Sequence, residues 1–251
     1  MVKPLESRRS RKSARKKAAT ERRAGAARVR DAADSCDAEA ALRERFRALA
    51  DFDHGFAAQG FRVIAGVDEA GRGALAGPVV SAAVVLREGC TLFRVYDSKA
   101  LAEADRESLF RDIVDSALSV GISFAHPPLI DRDNILQATL QTMHRAVEAL
   151  RLEPDLVLVD GREKFQWPGR LIPVIKGDAK SLSVAAASIV AKVARDRLMR
   201  RLHRMYPLYH FDRNKGYGTR DHLEAIAAHG AAVVHRQSFL SKVVANNLSM
   251  F

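Results

Sequence analysis

Apolar positions recur along this chain with two different periods. Short β-rich runs cover Arg62–Val67 and Val79–Leu86, separated by a glycine-rich turn. Leu92–Tyr96 reads as a third strand and Gly121–Ala125 as a short one. Asp155–Val159 is a continuous apolar run of the kind a strand buried on both faces shows, and Leu171–Ile175 follows as a further strand. Between them the period lengthens to that of a helix. Residues 38–50 place Leu42, Phe46 and Leu49 at helical spacing. Ala102–Leu118 reads as a helix, and Asn134–Leu150 carries Ile135, Leu140, Met143 and Val147 on one face. Ser181–Met205 is a long helix, Asp221–His229 a short one, and residues 238–248 a last one.

Early strands with short connections predict an antiparallel meander; later strands separated by helices predict parallel crossovers. The expected fold is therefore α/β, a mixed sheet with helices on its faces and a helical C-terminal region. No internal repeat is visible. We divide the chain into a basic N-terminal extension (1–35), expected to be disordered when free, a lead-in helical segment (36–60), and a main domain (61–245).

Charge sharpens this division. The 251 residues carry a formal net charge of +11, and residues 1–30 hold 12 Lys/Arg against Glu6 and Glu21, a net of +10. The body is thus almost neutral, and the excess sits in an arm suited to a polyanion. An Arg-rich, acid-poor N-terminus is also the composition of a mitochondrial transit peptide, which we weigh below the arm reading. The two cysteines, Cys36 and Cys90, form no CxxC pair, which disfavours a zinc site or a disulfide framework and fits a reducing, cytoplasmic setting. No run of 18 apolar residues exists, so no membrane helix is expected. Nothing in the sequence demands more than a monomer.

Three predicted strand ends carry acids. Asp68 and Glu69 end a strand before Gly71-Arg72-Gly73. Neighbours on a strand face opposite sides, so the chain must bend there for both to reach one site; otherwise they are two solvated acids in a turn. Asp160 follows the apolar run and precedes Gly161, the place where α/β sheets put functional groups, though Asp-Gly is also a common turn. Asp178 stands before the long helix, as a ligand or simply as its N-cap. Four carboxylates gathered without a cation would repel until some protonated. A pair of Mg²⁺ ions removes that conflict, and two ions about 3.5–4 Å apart suit in-line phosphoryl displacement. A dinucleotide loop is disfavoured, because the glycines read GxGxxxG, acids precede them and Pro78 with a β-rich run follows; no P-loop motif occurs.

The stretch Ala65-Gly66-Val67-Asp68-Glu69-Ala70-Gly71-Arg72-Gly73, with Leu75-Ala76-Gly77-Pro78, resembles the opening motif of bacterial ribonuclease HII. The likeness continues through Asp97-Ser98-Lys99, Val159-Asp160-Gly161, Lys176-Gly177-Asp178, Ala187–Asp196 and Lys215-Gly216-Tyr217-Gly218-Thr219. The resemblance implies a ribonuclease H-like fold and an endonuclease dependent on Mg²⁺ or Mn²⁺. Its substrate would be RNA paired to DNA, including a single ribonucleotide in duplex DNA, cut to 5′-phosphate and 3′-hydroxyl ends. It places Asp68, Glu69, Asp160 and Asp178 at the metal site and Gly71-Arg72-Gly73 on the 2′-hydroxyl and adjoining phosphate. Tyr217 would pack on the neighbouring deoxyribose. Apart from the resemblance, Lys99, Lys176, Lys180 and Lys215 are candidate phosphate contacts, with a solvated surface the equal alternative for each. Ala100 and Asn214 depart from the usual Lys and His of the family, which alters phosphate-side contacts more than the metal site.

The remaining polar residues receive structural readings. Asp196 beside Arg195 is a structural partner, Trp167 a loop anchor, and His203, His210, His222, His229 and His235 lack metal-ligand spacing. The rival from another class is a non-catalytic nucleic-acid binder using the basic arm. A pure binder gains nothing from four acids beside a polyanion.

Overall fold

A computed structural model describes residues 39–95 and 102–241. The chain divides into two units, residues 1–45 and 46–251. Helix α1 covers residues 39–57, longer than the apolar spacing over 38–50 indicates. The sheet strands are β1 (Ile64–Ala70), β2 (Val79–Leu86), β3 (Ala117–Ala125), β4 (Leu156–Asp160) and β5 (Arg170–Val174), in the order β3-β2-β1-β4-β5. β1–β2 and β2–β3 are antiparallel, while β1–β4 and β4–β5 are parallel. The mixed sheet expected from the strand spacing is what forms. The helices after α1 are α2 (Glu103–Ser116), α3 (Pro127–Asp133), α4 (Ile135–Glu148), α5 (Leu182–Met205), α6 (Phe211–Asn214) and α7 (Arg220–His229).

α5 sets the layer spacing. Its side chains from Leu182 to Ala191 are all buried, and most are small. The helix backbone lies so close to β1 that a Cβ on Gly66 would sit 2.1 Å from the Ser183 carbonyl carbon. Ser181 caps α5, its hydroxyl accepting the Val184 N–H at 3.2 Å. Asp53 of α1 accepts from the Ser183 N–H at 2.9 Å and the Ser183 hydroxyl at 2.7 Å. On the other face of the sheet, α4 buries Ala138, Thr139, Thr142, Met143, Ala146 and Val147. Its Thr142 hydroxyl meets Ser81 of β2 at 2.7 Å.

Several expected elements differ. Leu92–Val95 is a turn rather than a strand; Tyr96 lies outside the described residues. The Val95 N–H donates to the Leu92 carbonyl at 3.0 Å, and both side chains point into the core, so apolar content there reports anchoring. The helix read as ending at Leu118 stops at Ser116, and β3 begins at once. Leu118, Val120, Ile122 and Phe124 alternate along it, and pairing to β2 outweighs the helical spacing. α3 has no counterpart among the expected elements; Pro127 and Pro128 open it, where a missing N–H does no harm. The last helix begins at residue 237 and is described to 241; the rest of the 238–248 segment lies outside the described residues.

Candidate active site

The β1–β4 register fixes the first contact of the site. Val67 pairs with Val159, so Asp68 and Asp160 occupy the next positions on adjacent parallel strands. After Ala70 the chain turns at Gly71, whose φ of +96° is open to glycine and strained for other residues. Asp68, Glu69, Asp160 and Asp178 then line one cleft of about 240 Å³, together with Ala70–Gly73, Ser188, Lys192 and Tyr217.

The carboxylates are held individually. The Glu69 N–H donates to Asp68 Oδ1 at 2.6 Å. Glu69 itself leans on the Arg72 guanidinium, 3.4 Å away. Asp160 Oδ1 accepts the Gly177 N–H at 2.6 Å, which ties the end of β4 to the 3-10 turn Gly177–Ala179 carrying Asp178. Asp178 is therefore not the cap of α5; Ser181 holds that position.

Electrostatics oppose this gathering. Burial pushes the Asp68 carboxyl well above the usual range, and the charges of Glu69, Asp160 and Asp178 push it further. Burial raises Glu69 too, the Arg72 charge pulls it back, and Asp160 raises it again. Among the described residues, no three His, Cys, Asp or Glu side chains stand close enough to ligate one ion as placed. Like charges repel at this spacing, and Glu69 pairs with Arg72 rather than with the other acids. The donor set fits a hard divalent cation: all four groups are oxygen ligands, and the pressure to protonate Asp68 is what a nearby positive charge would relieve.

Tyr217 reaches the cleft, 38% exposed, with the Arg195 guanidinium 5.2 Å from its ring centroid. Lys215 does not reach it. Its side chain is 10% exposed, donates to the Asp212 carbonyl and pairs with Glu103 at 3.2 Å, so it braces the turn before Tyr217 instead. Lys99 lies outside the described residues. Ser188 and Lys192 join the cleft without having been singled out by the sequence pattern. They stand four apart on α5, hence on one face, and are polar positions in an apolar stretch, the one signal that marks them. Asp196 accepts from Lys192 at 2.6 and 2.7 Å and lies 3.8 Å from Arg106, a structural pairing. His222 and His235 bond to each other, Nε2 to Nε2, at 3.1 Å. Trp167 packs edge-on against His144 of α4.

The family profile of Ribonuclease HII matches residues 65–242. The chain belongs to the ribonuclease HII family. Enzymes of this family cleave the RNA strand of RNA/DNA hybrids, and this member is a ribonuclease H. It is 50% identical to the ribonuclease HII of Syntrophus aciditrophicus over 183 residues, 73% of this chain and 86% of that one. It is 51% identical to that of Geobacter sulfurreducens over 192 residues, 76% of this chain and 88% of that one. Among solved structures it resembles ribonuclease H2 from Pyrococcus horikoshii OT3, with a TM-score of 0.62 and 28% identity over 70% of this chain and 93% of that one. The matched ribonuclease HII segment contains all four cleft carboxylates and leaves out the basic arm.

Proposed function

We propose that the cleft is the hydrolytic site, and that it cuts both RNA/DNA hybrids and single ribonucleotides in duplex DNA, leaving 5′-phosphate and 3′-hydroxyl ends. One observation carries this: four carboxylates from three strand ends share a cleft with the Gly71–Gly73 loop and Tyr217. Asp68, Glu69, Asp160 and Asp178 would hold Mg²⁺ or Mn²⁺. Such ions, when bound, supply Lewis acidity to water and to the leaving 3′ oxygen. A crystal structure of the ribonuclease HIII Bst-RNase HIII was obtained with Mn²⁺, which fits the hard-oxygen donor set found here.

The chain's own groups do the positioning. Asp160 accepts from Gly177 and so keeps the Asp178 turn beside β4. Arg72, about half exposed, swings between Glu69 and the phosphate adjoining the ribonucleotide. Gly71 and Gly73 let backbone approach the 2′-hydroxyl, the group that distinguishes RNA from DNA. Tyr217 offers a flat ring against the next deoxyribose. The arm at residues 1–30 neutralises duplex phosphates, and Lys99 adds a further phosphate contact. The enzyme works in the cytoplasm as a monomer.

The test is incubation with a labelled duplex carrying one ribonucleotide, in Mg²⁺ or EDTA. Cleavage in Mg²⁺ alone, with product ends that a polymerase extends, is the expected result. Cleavage of the all-DNA duplex, or equal cleavage in EDTA, refutes the proposal.

A further inference from the structure

Arg236 lies outside the cleft and is fully buried. No carboxylate among the described residues pairs with it. Its guanidinium donates only to backbone carbonyls: Nε to Gly77 at 3.0 Å, Nη1 to Arg72 at 2.8 Å, and Nη2 to Gly71 at 2.8 Å and Gly77 at 2.9 Å. A buried cation without an ion pair is costly, so these bonds must compensate its lost hydration. Burial, and then the nearby Arg195 charge, lower its pKa to about 9, which leaves it protonated at neutral pH.

The position of those carbonyls has a consequence for the opposite side of the loop. Each peptide is planar, and none here is cis. The Gly71 carbonyl shares its plane with the Arg72 N–H, and the Arg72 carbonyl shares its plane with the Gly73 N–H. Carbonyl and N–H point in opposite directions across a trans peptide. Drawing both carbonyls inward therefore turns two successive N–H groups outward. Neither N–H donates to a backbone acceptor among the described residues. Gly71 to Gly73 all line the cleft.

We propose that Arg236 is a positioning residue for ribose selection: it clamps the Gly71 and Arg72 carbonyls and thereby presents the Arg72 and Gly73 N–H groups to the 2′-oxygen of the substrate. Arg195 holds the other end of the same loop, with Nε on the Pro78 carbonyl at 3.0 Å and Nη2 on Ala76 at 3.3 Å. The Arg236 N–H also donates to the Leu75 carbonyl at 2.8 Å, so backbone and side chain together fasten the loop to the segment after α7. Arg236 acts by shape: a lysine ammonium is a point charge and cannot span three carbonyls in a fixed plane. The inference rests on the proposed role of the Gly71–Gly73 loop.

The test measures binding preference, in Mg²⁺, for a duplex with one ribonucleotide over the same all-DNA duplex. An Asp160→Asn background prevents cleavage. The background protein should prefer the ribonucleotide duplex. Adding Arg236→Lys should shrink that preference at least about fivefold while affinity for the all-DNA duplex stays unchanged. A smaller folded fraction alone would lower binding to both duplexes equally and leave the ratio intact. An undiminished preference in the Arg236→Lys protein overturns the inference; no preference in the background protein overturns the loop reading itself. If Arg236→Lys does not fold, amide exchange on the Asp160→Asn protein with Arg236 intact decides. The Arg72 and Gly73 amides should exchange freely alone and become protected by the ribonucleotide duplex but not by the all-DNA one. Amides already protected in the free protein, or protected equally by both duplexes, refute the proposal.

Discussion

Replacing Asp160 by asparagine separates catalysis from folding. Asp160 Oδ1 accepts the Gly177 N–H at 2.6 Å. An asparagine carbonyl oxygen can keep that bond but loses its charge assistance, a penalty of about 1 kcal/mol. In the other direction, the substitution removes one of the like charges that raise Asp68 and Glu69. The two effects oppose each other. Net stability should therefore change by no more than about 1 kcal/mol, or about 2–4 °C in Tm for a domain of this size. Activity should respond very differently. The cleft loses a charge and, on the proposed function, a cation ligand, and cleavage should fall at least about a thousandfold, on the order of 4 kcal/mol of transition-state stabilisation. The assay is single-turnover cleavage of a duplex carrying one ribonucleotide in saturating Mg²⁺, with thermal melting in parallel. Near-normal turnover would remove Asp160 from the site. A collapse in Tm would show that its carboxylate serves the Gly177 turn more than the chemistry.

Deleting residues 1–30 removes 12 cations and no proposed catalytic group, so cleavage at saturating substrate should be similar while duplex binding weakens at low salt. The log–log salt slope should flatten by about 0.9 for each phosphate that the arm had neutralised, and an unchanged slope would separate the arm from nucleic acid. Tyr217→Ala should lose activity most on a single embedded ribonucleotide and less on a long hybrid, with unchanged melting; equal loss on both with a lowered Tm would make Tyr217 a structural aromatic. Burial holds His222 and His235 below the usual His range, so the unfolded chain takes up their protons first as pH falls. Their contribution is full above about pH 6.5 and is lost as pH drops below it. Asp68 and Glu69, raised by burial, act with the opposite sign, so the wild-type profile is compared with His235→Gln. The variant should lose less Tm than wild type between about pH 7.5 and 5.5, the range that brackets an ordinary His, and parallel profiles would refute the role of the pair.

The sequence by itself determined four of the five strands and which of their ends carry acids. β-rich runs marked β1, β2 and β4 because a buried strand needs nearly continuous apolar residues whatever surrounds it, and a short β-rich run marked the edge strand β5. The same patterning set Asp68, Glu69 and Asp160 at strand ends, where a parallel neighbour lines them up. Residues 92–95 misled because apolar content reports burial, and a turn can bury Leu92 and Val95 as well as a strand can. Only the tertiary structure decided what reaches the cleft. Lys215 turned inward to Glu103, while Ser188 and Lys192 came to the cleft because α5 crosses β1 at a distance that Gly66 permits. Arg236 is 164 residues from Arg72 in sequence, yet donates to its carbonyl. Local pattern carries the periodicity of one element and no information about which distant carbonyl a buried guanidinium will find; that is settled when the layers pack.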